Sequence, residues 1–186
     1  FALTKGTKAD IKEKMKARSI THFVVQHIAT KPLSAHKVND FAFAIQDEML
    51  ISFASVYPND DNCLEEIERI KAMGFKGVKL HPYFQDFELL SDKAMDVFNK
   101  LCELDIAVLI HTGREPFFPE RILSRPSEIA FIKKSFPSLK IIAAHLGGMY
   151  MYEESLKHIV GSDIYIDTSM SYVRCTDKNI YEKIIK

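Results

Sequence analysis

Two short apolar runs in this chain each end in a histidine with glycine close behind. They read Val108-Leu109-Ile110-His111-Thr112-Gly113 and Ile141-Ile142-Ala143-Ala144-His145-Leu146-Gly147-Gly148. Aliphatic runs of this length bounded by glycine match strands buried on both faces, as in a parallel sheet. A neutral imidazole at the exit of such a strand can bind a metal or move a proton. The two histidines stand 34 residues apart. Successive βα units of that length aim their strand ends at one shared site, the geometry of a (β/α)8 TIM barrel with its chemistry on the C-terminal face.

The rest of the chain alternates in the same way. Six strands are expected, ending near Ile28, Val56, His81, His111, His145 and Asp167, each followed by helix. Thr7 caps a first helix bearing Ile11 and Met15, and Ser34 caps one running to about Met49. Further helices are expected over Leu64–Met73, from Ser91-Asp92 to about Leu104, from Pro126 to near Phe136, over Tyr152–Val160, and from Tyr181 onward. Residues 82–87 and 113–126 read as loops, the second rich in Pro, Phe and Arg as active-site loops often are. A complete barrel takes about 250 residues and eight units. The expectation is therefore a single barrel domain over residues 1–186, incomplete, covering about strands 2 to 7. The chain opens at Phe1 without methionine and ends at Lys186 inside a helical pattern, so it reads as truncated at both ends. A doubly wound sheet uses the same alternation, but no GxGxxG or Walker sequence follows any strand.

Composition narrows the partners. Lys+Arg and Asp+Glu balance at 25 each, which gives no signature for a nucleic-acid or membrane-surface partner. Cys63, Cys102 and Cys175 are dispersed and odd in number, and read as reduced thiols of a cytoplasmic protein. No secretion signal and no run of about 18 apolar residues occurs. Unpaired outer strands of an incomplete barrel invite self-association, so a homo-oligomer is a further expectation.

Candidate chemistry gathers at the strand ends. His111, next to Gly113 and the long loop, is the first metal-ligand candidate, although a hydrogen-bonded core histidine has the same surroundings. His145 is the second, with Gly147-Gly148 letting the backbone bend sharply beside it. Lys79 and His81 lie two apart and share one strand face, opposite Val78 and Leu80. A buried lysine must find a partner, so Lys79 either binds a substrate carboxylate, binds metal after carbamylation, or ion-pairs with a neighbouring strand. His81 orients the following loop or supports the site from behind a ligand. Asp167 either orients a histidine or caps its own loop. Arg114, Arg121 and Arg125 surround the long loop, and any of them could clamp a carboxylate.

With these pieces assembled, the chain resembles the amidohydrolase superfamily, specifically its amidohydrolase-2 (amidohydrolase-related) branch. The resemblance is carried by His111-Thr112-Gly113, His145-Leu146-Gly147-Gly148, the run Gly74-Phe75-Lys76-Gly77-Val78-Lys79-Leu80-His81-Pro82, and Phe136-Pro137-Ser138-Leu139-Lys140. It implies a metal-dependent barrel holding one divalent ion, zinc first and manganese second. It makes His111 the strand-5 ligand and His145 the acid/base on strand 6. Lys79 stands on strand 4, where some superfamily members carry a carbamylated lysine. The resemblance also implies an His-x-His pair on strand 1 and an aspartate on strand 8. Neither occurs here, so metal binding by this segment alone is expected to be weak or absent.

The implied activity is hydrolysis of a small molecule, a metal-activated water attacking an amide, lactone or ester carbonyl. The alternative is non-oxidative decarboxylation of an aromatic or unsaturated acid, with His145 handling the proton. A third reading is a non-catalytic scaffold without metal.

Overall fold

The computed structural model describes residues 5–186. Six strands form one wall: β1 (Phe23–Gln26), β2 (Leu50–Phe53), β3 (Gly77–Leu80), β4 (Ala107–Ile110), β5 (Ile141–Ala143) and β6 (Tyr165–Ile166). Every pairing is parallel, and the spatial order is the chain order. β2 and β3 are joined just past the end of β2. There Ala54 donates its N–H to Gly77 O at 2.9 Å and accepts from Lys79 N–H at 2.8 Å. Parallel neighbours in sequence order need a crossover between each pair. Those crossovers contain α2 (Ala35–Ala44), α3 (Cys63–Ala72), α5 (Asp92–Glu103), α6 (Pro126–Ser135) and α7 (Tyr152–His158). α1 (Lys8–Lys16) precedes the wall, α4 (Pro82–Gln85) is one turn after β3, and α8 (Ser171–Arg174) and α9 (Lys178–Ile185) close the chain.

Alternation along the strands divides the side chains between two layers. Val78, Leu80, Val108 and Ile110 pack in one cluster with helix residues such as Ile67, Phe98 and Ile132. Lys79 and Leu109 are also buried, but on the other face of the wall, outside that cluster. Burial follows position across the wall. β3 is buried at all four residues, whereas β1 and β6 each expose alternate residues at the two edges. Among the described residues no helix is long and apolar enough to cross a membrane.

Several local expectations change. The helix after Ser34 ends at Ala44, five residues before Met49. Asp47 Oδ1 accepts from Met49 and Leu50 N–H at 2.9 Å each, and that side-chain turn feeds the chain straight into β2. Ser34 does not cap α2 with its side chain; its hydroxyl donates to Lys31 O at 2.6 Å. Residues 82–85, read as loop, form α4, with Pro82 at the first helical position where its missing N–H costs nothing. The last helix starts at Lys178 because Asp177 accepts from Asn179 and Ile180 N–H, and α8 precedes it.

Candidate active site

The strand ends deliver the expected residues to one side of the wall. His81 and His111 each follow the last residue of β3 and β4, and both are almost fully buried (6% and 1% exposed). Their rings stack with centroids 4.2 Å apart and planes 19° from parallel. Phe84 of α4 covers the His81 ring in a second stack at 4.1 Å. Tyr83 meets the His111 ring edge-on at 5.5 Å. His81, a supporting residue by sequence, lays its ring against that of His111, the principal ligand candidate.

His145 departs from the expected strand end. β5 stops at Ala143, and His145, Leu146 and Gly147 follow with φ of 61°, 59° and 70°. Two consecutive non-glycine residues in the left-handed region cost on the order of 1–3 kcal/mol each and persist only where the surroundings hold them. Here Asp167 Oδ1 accepts from His145 N–H at 3.0 Å, Leu146 N–H donates to Asp167 O at 2.7 Å, and Ser155 Oγ donates to Leu146 O at 2.6 Å. The turn brings the His145 ring edge-on to His111 at 5.0 Å. Asp167 thus acts on the backbone of His145, and the ring is held by Ser169. Ser169 O lies 3.0 Å from His145 Nδ1, and because a carbonyl only accepts, Nδ1 carries the proton. Nε2 is left as the basic nitrogen.

Glu115 was not singled out in the sequence. It lies four residues after His111 in an irregular loop, and the loop folds it back beneath both imidazoles. Glu115 Oε2 is 3.7 Å from His81 Nε2 and 3.8 Å from His111 Nε2. Gly113 makes the fold-back possible at φ 97°, where a Cβ would sit 2.2 Å from Met149 N. Tyr83 Oη pins the loop, donating to Gly113 O at 2.7 Å and accepting from Leu123 N–H at 3.2 Å.

Burial sets the charges. It pushes the His81 imidazole down to about 3, with the Lys79 ammonium and His145 adding to the effect. It pushes His111 down to about 2, with His81, His145 and Lys79 contributing. His145 is lowered by burial too, partly offset by its bond to Ser169 and by the Asp167 charge. Lys79 falls to about 8 for the same reason, against a smaller opposing pull from Asp167. No ion-pair or hydrogen-bond partner of the Lys79 ammonium is found among the described residues, so the neighbouring-strand pairing does not occur. Of the loop arginines, Arg121 pairs with Asp86 at 2.8 Å and Arg125 with Glu154 at 3.6 Å. The Arg114 guanidinium is unpaired among the described residues and lines a cavity of about 500 Å³ with Arg174 and Tyr150.

The donor set fits a cation. His81, His111 and Glu115 offer ligand atoms within 4.8 Å of one another. His111 Nε2, which faces Glu115, is buried without a hydrogen-bond partner among the described residues. Glu115 is 7% exposed, and among the described residues its carboxylate accepts only from Phe117 N–H at 3.3 Å. A buried carboxylate so thinly satisfied is costly unless a positive charge joins it. Tetrahedral zinc with ligands at about 2.0–2.1 Å separates them by about 3.3–3.4 Å. The Glu115–histidine distances are too long for hydrogen bonds and only slightly wider than that.

Comparison with known proteins places the chain in a family and a fold. The family model described as Amidohydrolase (Amidohydro_2) matches residues 7–182. A dihydroorotase from Helicobacter pylori is 26% identical over 129 residues, covering 66% of this chain and 37% of its own length. The chain therefore spans well under half of that curated relative. Among solved structures, a 5-carboxyvanillate decarboxylase from Novosphingobium aromaticivorans, complexed with manganese and 4-hydroxy-3-methoxy-5-nitrobenzoic acid, is similar with a TM-score of 0.67. It is 19% identical, over 96% of this chain and 67% of that one. An uncharacterised TIM-barrel protein from Bordetella bronchiseptica gives a TM-score of 0.66 at 13% identity, over 90% of this chain and 61% of that one. The six-stranded wall is thus a segment of a TIM barrel.

Proposed function

The chain belongs to the amidohydrolase family, and from that premise we propose that it forms the greater part of a metal-dependent hydrolase site acting on an amide, lactone or ester. The observation that carries the proposal is the buried His81–His111–Glu115 group at the strand ends, with the neutral imidazole of His145 beside it. His111 would hold the divalent ion, with His81 and Glu115 as the adjoining donors. A bound divalent cation supplies Lewis-acid polarisation of a carbonyl and a lowered pKa for coordinated water.

The remaining work falls to the chain's own residues. His145, with Nδ1 fixed by Ser169 and its pKa lowered, stays neutral near pH 7 and takes a proton at Nε2. General base catalysis of this kind contributes about 10²–10⁴ in rate. Having taken the proton, His145 delivers it to the leaving group. Asp167 keeps the strained turn under His145 in place. Lys79, a buried cation with no ion-pair or hydrogen-bond partner among the described residues, anchors a carboxylate on the substrate.

Decarboxylation is the second reading. The free Lys79 charge and the similarity to a manganese-bound decarboxylase favour it. That reaction needs His145 to carry a proton at Nε2 and give it to the carbon that loses CO2, which its lowered pKa disfavours near pH 7. One experiment separates the two. The metal-loaded protein is assayed in ¹⁸O-labelled water against cyclic amides, lactones and hydroxylated aromatic acids. Hydrolysis is expected to place one ¹⁸O in the product carboxylate. CO2 release with no ¹⁸O incorporated overturns hydrolysis in favour of decarboxylation, and turnover of nothing in the panel by metal-loaded protein counts against both.

A further inference from the structure

Three side chains with no solvent exposure, Asn39, Ser55 and Gln85, lie behind the site at the exits of β1, β2 and β3. Strands end there, so their backbone groups lose ladder partners and need substitutes. Gln85 supplies most of them. Its Nε2 donates to Val56 O at 2.7 Å and to Ala29 O at 3.1 Å, and lies 3.4 Å from Ser55 Oγ. Its Oε1 accepts from His81 N–H at 2.8 Å. Ser55 Oγ accepts from Ala29 N–H at 2.9 Å and reaches Lys79 O at 3.2 Å. Asn39 grips both sides of Ser55, donating to its carbonyl at 2.8 Å and accepting its N–H at 2.9 Å.

The three do not do the same thing. Asn39 touches the exit of β2 and the Glu66 carboxylate, and no residue of the site. Among the described residues, the Gln85 side chain alone ties the exits of β1 and β2 to the backbone of His81. The α4 turn that carries Gln85 also carries Phe84 and Tyr83, which pack on the His81 and His111 rings. Four residues separate Gln85 from His81, and their bond closes that turn on itself.

We infer that Gln85 is a positioning residue for the site: its side-chain amide fixes the His81 backbone against the exits of β1 and β2 and so holds the His81 ring in register with His111 and Glu115. The inference rests on the reading that these residues hold a cation, but its structural part stands without the ion. Gln85→Met keeps nearly the same volume and removes every side-chain hydrogen bond, leaving the backbone bond from its N–H to His81 O at 3.0 Å. Asn39→Ala is the control, because it also opens a buried polar network yet leaves His81 untouched.

The test compares ring-proton NMR of His81 in metal-free protein and Mn²⁺ affinity by titration. In metal-free Gln85→Met, the His81 resonances are expected to lose the shifts imposed by the stacked Phe84 and His111 rings. Mn²⁺ affinity is expected to fall about 10–100-fold, as for other residues that orient ligands from behind. Asn39→Ala lowers Tm but retains both signatures. Gln85→Glu, which preserves the oxygen facing His81 N–H, retains more of the ring shifts than Gln85→Met. Wild-type His81 signals in folded Gln85→Met, or equal losses in Asn39→Ala, overturn the inference. So does failure of both Gln85 variants to fold, which makes the residue scaffold alone. If wild type binds no Mn²⁺, the metal reading fails by itself, and the His81 spectra still decide the positioning role.

Discussion

His81 lies flat against His111, ring centroids 4.2 Å apart, at the ends of adjacent parallel strands. Two imidazoles so close cannot both be charged, and burial holds each of them neutral. Glu115 brings a carboxylate within 3.7 Å of His81 Nε2 and 3.8 Å of His111 Nε2.

Removing that charge is informative. Glu115→Gln keeps the shape of the side chain and replaces a carboxylate oxygen by an amide. Affinity for Mn²⁺ or Zn²⁺ is expected to fall by about 10–100-fold, measured by isothermal titration at fixed pH. Unchanged affinity removes Glu115 from the donor set.

The depressed histidines make a pH prediction with a definite sign. Unfolded, His81 and His111 titrate near 6.5; folded, near 3 and 2. Between about pH 3 and 6.5 the unfolded chain therefore binds more protons, and stability rises with pH across that window. Acidification from pH 6.5 destabilises the metal-free protein by up to about 1.4 kcal/mol per pH unit for each histidine. Urea melts from pH 4 to 7 are expected to give a shallower slope for His81→Gln than for wild type.

Lys79 gives a prediction in which stability and function part. Its ammonium is held at about 8 by burial against a smaller pull from Asp167, with no ion-pair or hydrogen-bond partner among the described residues. Lys79→Met fills similar space without charge, and is expected to stabilise the fold at pH 7 by about 3 kcal/mol, order of magnitude, from the cost of keeping that group charged. The same variant is expected to raise KM for carboxylate substrates. A lowered Tm argues for a hidden structural partner of Lys79.

Asp167 tests the strained turn. Asp167→Ala removes three bonds at once, from His145 N–H, Ser169 N–H and Ser169 Oγ, leaving positive φ at His145 and Leu146 less supported. Turnover is expected to fall at least tenfold while metal content stays as in wild type. Loss of metal along with turnover contradicts the assignment of His145 as a proton carrier outside the donor set.

These residues were legible in the sequence to different degrees. His111 and His145 stood out because an apolar strand followed by histidine and glycine is a local pattern. Lys79 and His81 shared a face by period-two spacing alone, and the wall obeys it. The stacking of His81 on His111 depends on which strands are neighbours, and no local pattern encodes that. Glu115 was hidden because its position depends on Gly113 at φ 97° and on Tyr83 reaching from α4. Gln85 looked like one polar residue in a loop; its four contacts come from three separate strand exits. The left-handed turn at His145 is fixed by Asp167, 22 residues later.

The most direct test is the metal content of purified wild type and His111→Ala, read by elemental analysis after equilibration with Mn²⁺ or Zn²⁺ and removal of excess. The weak or absent binding expected of His111 alone gives way, with His81 and Glu115 added as donors, to an expected result of about one equivalent in wild type and less than about a tenth in His111→Ala. Equal metal content in the two proteins, or none in either, contradicts a metal centre built on the His81–His111–Glu115 group.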